Sequence, residues 1–181
     1  MSTKVEATVA DLYLVDGKAE IINGEIVQMS PTGGLPSFAA SRIAFSLMEH
    51  TTRIKKGIAV ADNAAFIVNL PNRRSFSPDA AYYIVQITMK FFEGAPIFAV
   101  EVRSEGDYGP RAEGALAAKR ADYFAAGTEV VWDVDLLGAD VIKKYRADAP
   151  EQPEIFRRAE AANAEPAVPG WTMPVDDLFP E

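Results

Sequence analysis

Pro96-Ile97-Phe98-Ala99-Val100-Glu101-Val102-Arg103-Ser104 is the stretch from which the rest of the chain is read. Six of its first seven residues are apolar or proline, the composition of a strand buried on both faces. Glu101 stands where a central strand should carry valine. An unpaired carboxylate there would cost several kcal/mol, so it needs a cation, a donor network or a water-filled cleft. Strand alternation puts Ile97, Ala99, Glu101 and Arg103 on one face and Phe98, Val100 and Val102 on the other. An acid and a base two residues apart on one face fit an active site or a salt bridge at the strand end. These residues alone leave both open.

The 181 residues predict one domain, 49% of them apolar, with a core over about 10–146 and a C-terminal excursion and docking tail over 147–181. Without cysteine, disulfides and thiolate metal sites are excluded, and with His50 as the one histidine a histidine-built zinc site is excluded in practice. Carboxylates and lysines are left to carry any chemistry. The opening Met-Ser-Thr-Lys-Val-Glu has no apolar core of signal-peptide length and no run approaches a membrane span, so a cytoplasmic protein with no membrane partner is expected. A net charge of −8 argues against broad, non-specific adhesion to nucleic acid. The charge is uneven: residues 1–90 hold 9 Lys/Arg against 8 Asp/Glu, residues 91–181 hold 9 against 18. Arg53 with Lys55 and Lys56, and Arg73 with Arg74, are the basic clusters of the first half.

Thr8 predicts a capped short helix through Leu14. Asn23-Gly24 between Ala19–Ile22 and Glu25–Val27 predicts a hairpin. Ser30 to Gly34 is a breaker, and Pro36 to about Arg53 carries a helical apolar stripe that Gly57 closes. Strands are expected over 57–61, 65–70 and 77–85. Pro78 is tolerated at a strand's first residue, which puts Asp79 at the strand's start. A helix spans Arg111 to Ala126, with Ala112, Leu116 and Tyr123 on one face and Lys119 and Arg120 bordering it. Lys119 in that setting reads as a snorkelling side chain. Glu129 to Asp135 is a buried strand, Ala139 to Tyr145 an edge strand pairing with it, and 147–169 an exposed excursion of low hydrophobicity. Trp171 and Val175–Phe179 are expected to dock back on the core.

Asp79 and Glu101, on adjacent strands beside a cation, form a hard-oxygen pair suited to magnesium or manganese. Such an ion polarises a phosphoryl oxygen and lowers the pKa of bound water, and a nearby lysine or arginine stabilises charge developing on phosphate. Pro-Asp, about twenty residues, then Glu-x-Arg with a further base on the next helix is the PD-(D/E)XK nuclease pattern.

Longer segments carry a resemblance. Ala19-Glu-Ile-Ile-Asn-Gly-Glu-Ile-Val-Gln-Met-Ser-Pro-Thr-Gly-Gly, Ser77-Pro-Asp-Ala-Ala-Tyr, Phe91 through Ser104, Lys119-Arg-Ala-Asp-Tyr-Phe-Ala-Ala-Gly-Thr-Glu-Val-Val-Trp and the terminal Pro169-Gly-Trp resemble, in order, the Uma-two family of bacterial restriction-endonuclease-like proteins. The resemblance implies an α+β (α/β/α-like) fold with a restriction-endonuclease-like core, a mixed central β-sheet flanked by helices. It implies a divalent-metal site (Mg2+ or Mn2+) with Asp79 and Glu101 as metal-binding acids and Val102 lending its backbone carbonyl. Lys119 becomes the relocated catalytic lysine, Arg103 holds the motif's own lysine position, and Glu20 and Glu25 support the site. DNA is the implied partner and a homodimer the implied assembly. Three departures accompany it: Leu35-Pro36-Ser37 where the family commonly has a histidine, Arg103 for the motif lysine, and Ser104-Glu105-Gly106 for the usual Ser-Pro-Ser. Arginine cannot give up a proton, so Arg103 could not serve as a base. A metal-dependent endonuclease and a catalytically inactive nuclease-fold interaction module are therefore the two readings to test.

Overall fold

The computed structural model describes residues 5–181. Residues 1–4, part of the stretch on which the absence of a signal peptide rests, lie outside the described residues. Thr8 caps α1 (Val9–Leu12) as expected, through a capping box in which Asp11 returns the bond to the Thr8 backbone N–H at 2.7 Å. The helix stops two residues short of Leu14. In the hairpin of β1 (Ala19–Ile22) and β2 (Glu25–Gln28), Asn23 (φ 51°) and Gly24 (φ 73°) take the left-handed backbone that a two-residue turn demands.

Helix α2 (Gly34–Ile54) leads into β3 (Ile58–Ala61). Short strands β4 (Phe66–Ile67) and β5 (Ser75–Phe76) precede β6 (Ala80–Tyr83). Then β7 (Phe92–Glu93), β8 (Phe98–Val102), α3 (Pro110–Ala125), β9 (Val130–Val134), β10 (Ile142–Arg146) and β11 (Ala149–Phe156) follow. The chain closes with β12 (Ala161–Asn163), β13 (Thr172–Pro174) and a 3-10 turn at Val175–Leu178. Six strands form the central sheet in the order β11-β10-β9-β8-β6-β3. Only β8 and β9 run parallel within it, because α3 carries the chain across between them. The fold is thus α+β, a mixed sheet flanked by helices.

Alternation along β8 sorts the two faces of the core. Phe98, Val100 and Val102 join Ile43 and Leu47 of α2, Trp132 and Trp171 on one face. Ala99 faces Phe66, Phe76, Tyr83 and Tyr123 on the other. Ile97, expected on the second face, packs against the first, because it precedes the strand and escapes its alternation. Gly57, at φ 66° after α2, lies so close to Tyr82 that a Cβ there would come within 2.4 Å of the ring.

The C-terminal third departs from expectation. β10 is an interior strand, and the edge belongs to β11, inside the stretch expected to be an excursion. Pro150, Pro153 and the glutamates of 149–156 lower its hydropathy, yet an edge strand tolerates such residues. Residues 65–70 form only the two-residue β4, which pairs with β5 and β7 in a separate small sheet. Trp171 and Leu178 are buried in the α2-side core, and the Trp171 indole donates to Ser46 Oγ at 3.0 Å.

Candidate active site

Asp79 immediately precedes β6 and Glu101 lies on the adjacent β8, so the antiparallel pair brings the two acids to one end of the sheet. The Val102 backbone N–H donates to Asp79 Oδ2 at 2.7 Å, which fixes the carboxylate against the end of β8. A strand residue turns its N–H and C=O to the same side, so the Val102 carbonyl also faces the Asp79 side. Asp79 Oδ1 accepts from the Lys18 ammonium at 2.6 Å, and the same ammonium donates to Asp62 at 2.6 Å. Burial pulls the Lys18 pKa down, but the Asp79 and Glu101 carboxylates outweigh it and the net shift is upward. Lys18 thus stays charged at the acids.

On the α3 side, Lys119 Nζ lies 2.8 Å from Glu101 Oε1 and 2.9 Å from Glu20 Oε1. One helical turn on, the Tyr123 hydroxyl donates to the same Glu101 oxygen at 2.6 Å. Glu101 Oε2 receives no hydrogen bond from a described residue. Burial raises the Glu101 carboxyl, the Lys119 ammonium opposes, and Asp79 and Glu20 add to the rise, which ends at about 7. Lys119 is only 15% exposed, and burial works to lower its pKa. The two carboxylates reverse that and hold its pKa above the usual lysine value. Snorkelling is therefore not its role: its head is turned into the protein.

Glu20 is the inner support. Burial works against its charge, but Lys119 and then Arg73 outweigh burial and lower its pKa. Its Oε1 also accepts from the Ser77 backbone at 2.8 Å, and Arg73 spans from Glu20 to Asp122, 2.9 Å away. Glu25 sits exposed on β2, opposite Ile22. Arg103, at the motif's lysine position, takes a different direction. It grips Asp133 on β9 with two bonds of 2.8 and 2.7 Å, and reaches Glu113 on the first turn of α3. Asp79, Glu101, Lys119 and Glu20 are thus brought together, while Arg103 is committed to a neighbouring pair of acids. A cavity of about 530 Å³ near Asn69–Arg74 includes Arg73 but neither Asp79 nor Glu101.

Lys18, Asp62, Tyr123 and Arg73 were not legible as site residues. Tyr123 had a signal, its i+4 spacing from Lys119, but it read as part of an apolar stripe. Arg73 read only as part of a basic cluster with Arg74, and Lys18 meets Asp79 across 61 residues, beyond any local pattern.

The donors fit a hard divalent ion in kind: two carboxylates and a backbone carbonyl, with one oxygen of Glu101 open. Among the described residues no three acidic or histidine side chains gather as ligands of one ion, and Glu20 is already bound by Lys119, Arg73 and Ser77. Nor, among them, is any helix long and apolar enough to cross a membrane.

A crystal structure described as a putative nuclease belonging to DUF820, from Anabaena variabilis, superposes with a TM-score of 0.73 at 18% identity, over 96% of this chain and 97% of that one. At that identity the likeness speaks for the fold. No curated protein matches the chain. The Uma2 family model, described as "Putative restriction endonuclease", matches residues 10–176, from α1 to the terminal 3-10 turn and so across every residue of the acid–lysine cluster. The chain belongs to the Uma2 family.

Proposed function

We propose that the chain is an endonuclease that hydrolyses phosphodiester bonds in DNA with a magnesium or manganese ion held by Asp79, Glu101 and the Val102 carbonyl. The observation that carries the reading is Glu101: a carboxyl whose second oxygen has no donor among the described residues, raised to about 7 by burial and by neighbouring acids. A cation at that oxygen relieves the excess negative charge. Once bound, such an ion polarises a phosphoryl oxygen and acidifies its water. Val102 N–H holds Asp79 in place, and Tyr123 and Lys119 hold Glu101. Lys119 keeps its proton, so it serves as a cation that orients water or phosphate and offsets developing charge, and it does not serve as a base. Arg103, its charge divided between Asp133 and Glu113, supports the strand end and leaves the basic role to Lys119.

The test is cleavage of supercoiled and single-stranded DNA at low salt with magnesium or manganese, comparing the wild type with Glu101→Ala. Nicking lost in the variant is expected; equal nicking by both would be contamination and would remove the support for a nuclease. Cutting both strands takes two sites, which a homodimer supplies; light scattering that shows only monomer at micromolar concentration refutes the dimer.

One observation favours a second reading, a nuclease fold kept for interaction. Glu20, Asp79 and Glu101 each already hold a lysine or arginine within 3 Å. In that case manganese leaves the melting temperature unchanged, whereas binding to the native state must raise it.

A further inference from the structure

We propose that Lys18 is a displaceable counter-ion of Asp79: a divalent ion at the acids competes with its ammonium for Asp79 Oδ1, and Asp62 receives the ammonium that leaves. The inference rests on the metal-binding reading above. Asp79 Oδ2 already accepts from the Val102 N–H, which makes Oδ1 the more open oxygen for a cation, and Lys18 is on it at 2.6 Å. Two positive charges cannot share that oxygen at contact distance without strong repulsion. Lys18 therefore has to move when a metal arrives.

It has somewhere to go. Asp62 already accepts from the same ammonium at 2.6 Å, and its side chain is 44% exposed against 13% for Asp79. A small swing of the lysine head toward Asp62 keeps its charge paired and moves it outward toward water, where a lone ammonium is least costly. The Asp62 carboxylate is oriented locally, because the Asn63 N–H donates at 2.8 Å to Oδ1, the oxygen that also accepts from Lys18. Lys119 cannot perform the same exchange: both its partners, Glu20 and Glu101, lie within the cluster, and its charge stays with them. The two lysines of the site thus divide into one that is fixed and one that yields.

Calorimetric titration with Mn2+ on the full chain tests this without reference to activity. Lys18→Met removes the competitor, and its affinity for Mn2+ is expected to rise about tenfold. Asp62→Asn removes the receiving acid, leaves Lys18 dependent on Asp79, and is expected to weaken Mn2+ binding several-fold. Asp79→Asn abolishes binding. Melting curves add a second readout: Lys18→Met lowers the melting temperature without metal yet enlarges the rise that Mn2+ produces, a pair of opposite effects that a purely structural lysine does not give. Wild-type binding that Asp79→Asn abolishes but Lys18→Met leaves equal or weaker overturns the inference while the metal reading stands. Binding absent in both the wild type and Lys18→Met up to millimolar Mn2+ overturns the metal reading and this inference with it. Should Lys18→Met fail to fold, Asp62→Asn decides: weaker binding supports the exchange and unchanged binding refutes it.

Discussion

Replacing Arg103 by methionine tests whether the residue at the motif's lysine position is structural. Arg103 and Asp133 are each only 4% exposed, and two bonds of 2.8 and 2.7 Å join them. Removing one partner of such a buried pair leaves the other charge stranded, at a cost of about 3–5 kcal/mol. The second arm is different in kind, because the Glu113 side chain is 53% exposed and water already solvates it; an exposed pair contributes about 0–1 kcal/mol. Urea unfolding at neutral pH is therefore expected to show Arg103→Met losing several times what Glu113→Ala loses. Adding Asp133→Asn to Arg103→Met should recover part of the loss, since no buried carboxylate is then left without its cation. Arg103→Lys keeps the charge but not the planar two-bond grip, and should fall between. Arg103→Met costing below about 1 kcal/mol, or Glu113→Ala costing as much as Arg103→Met, would refute the reasoning.

Glu101 gives the stability curve a direction with pH. Its folded pKa of about 7 lies above the ordinary carboxyl value of 4.5, so the folded state holds this proton more tightly than the unfolded chain. Its contribution is full below about pH 4.5 and is lost as pH rises to about 7, a change on the order of 3 kcal/mol. The difference in urea midpoint between Glu101→Gln and the wild type should widen in the variant's favour over that range; a constant difference removes the basis for the shift. Tyr123→Phe deletes the donor to Glu101 Oε1 and should destabilise by about 1.5–3 kcal/mol in the same assay at pH 8, where Glu101 is ionised. Gly57→Ala sets a Cβ against Tyr82 on left-handed backbone and should cost about 2–4 kcal/mol, read as a drop in melting temperature; an unchanged melting temperature would mean that the Tyr82 ring moves freely aside.

Local chemistry explains what was legible in the sequence. The Asn23-Gly24 turn, the Thr8 cap and the alternation of Phe98 to Val102 are each dictated within a few residues, and each stands where it was expected. Glu101 was legible because an acid is out of place in a buried strand, and Asp79 because a Pro-Asp dipeptide opens the neighbouring one. Lys119 was named through the resemblance, but Lys18 was not, nor was the Arg73 that pairs with Glu20. Lys18 and Arg73 look like ordinary turn charges until the fold carries them 61 and 53 residues to Asp79 and Glu20. Arg103 shows the opposite limit: the strand pattern placed it on the Glu101 face, but only the register of β9 reveals Asp133 as its partner, two residues beyond Val131 on the same face. β11 was missed because hydropathy measures burial, and an edge strand needs little of it.

That edge has a consequence for how copies of the chain behave in a crowded solution. Pro150 and Pro153 have no N–H to offer a neighbouring strand, and the exposed Glu151 repels a like copy. The sheet therefore ends at β11 in a margin that rejects further strands, which guards against edge-to-edge aggregation. Pairing of two copies through this margin is disfavoured, which leaves its backbone to water.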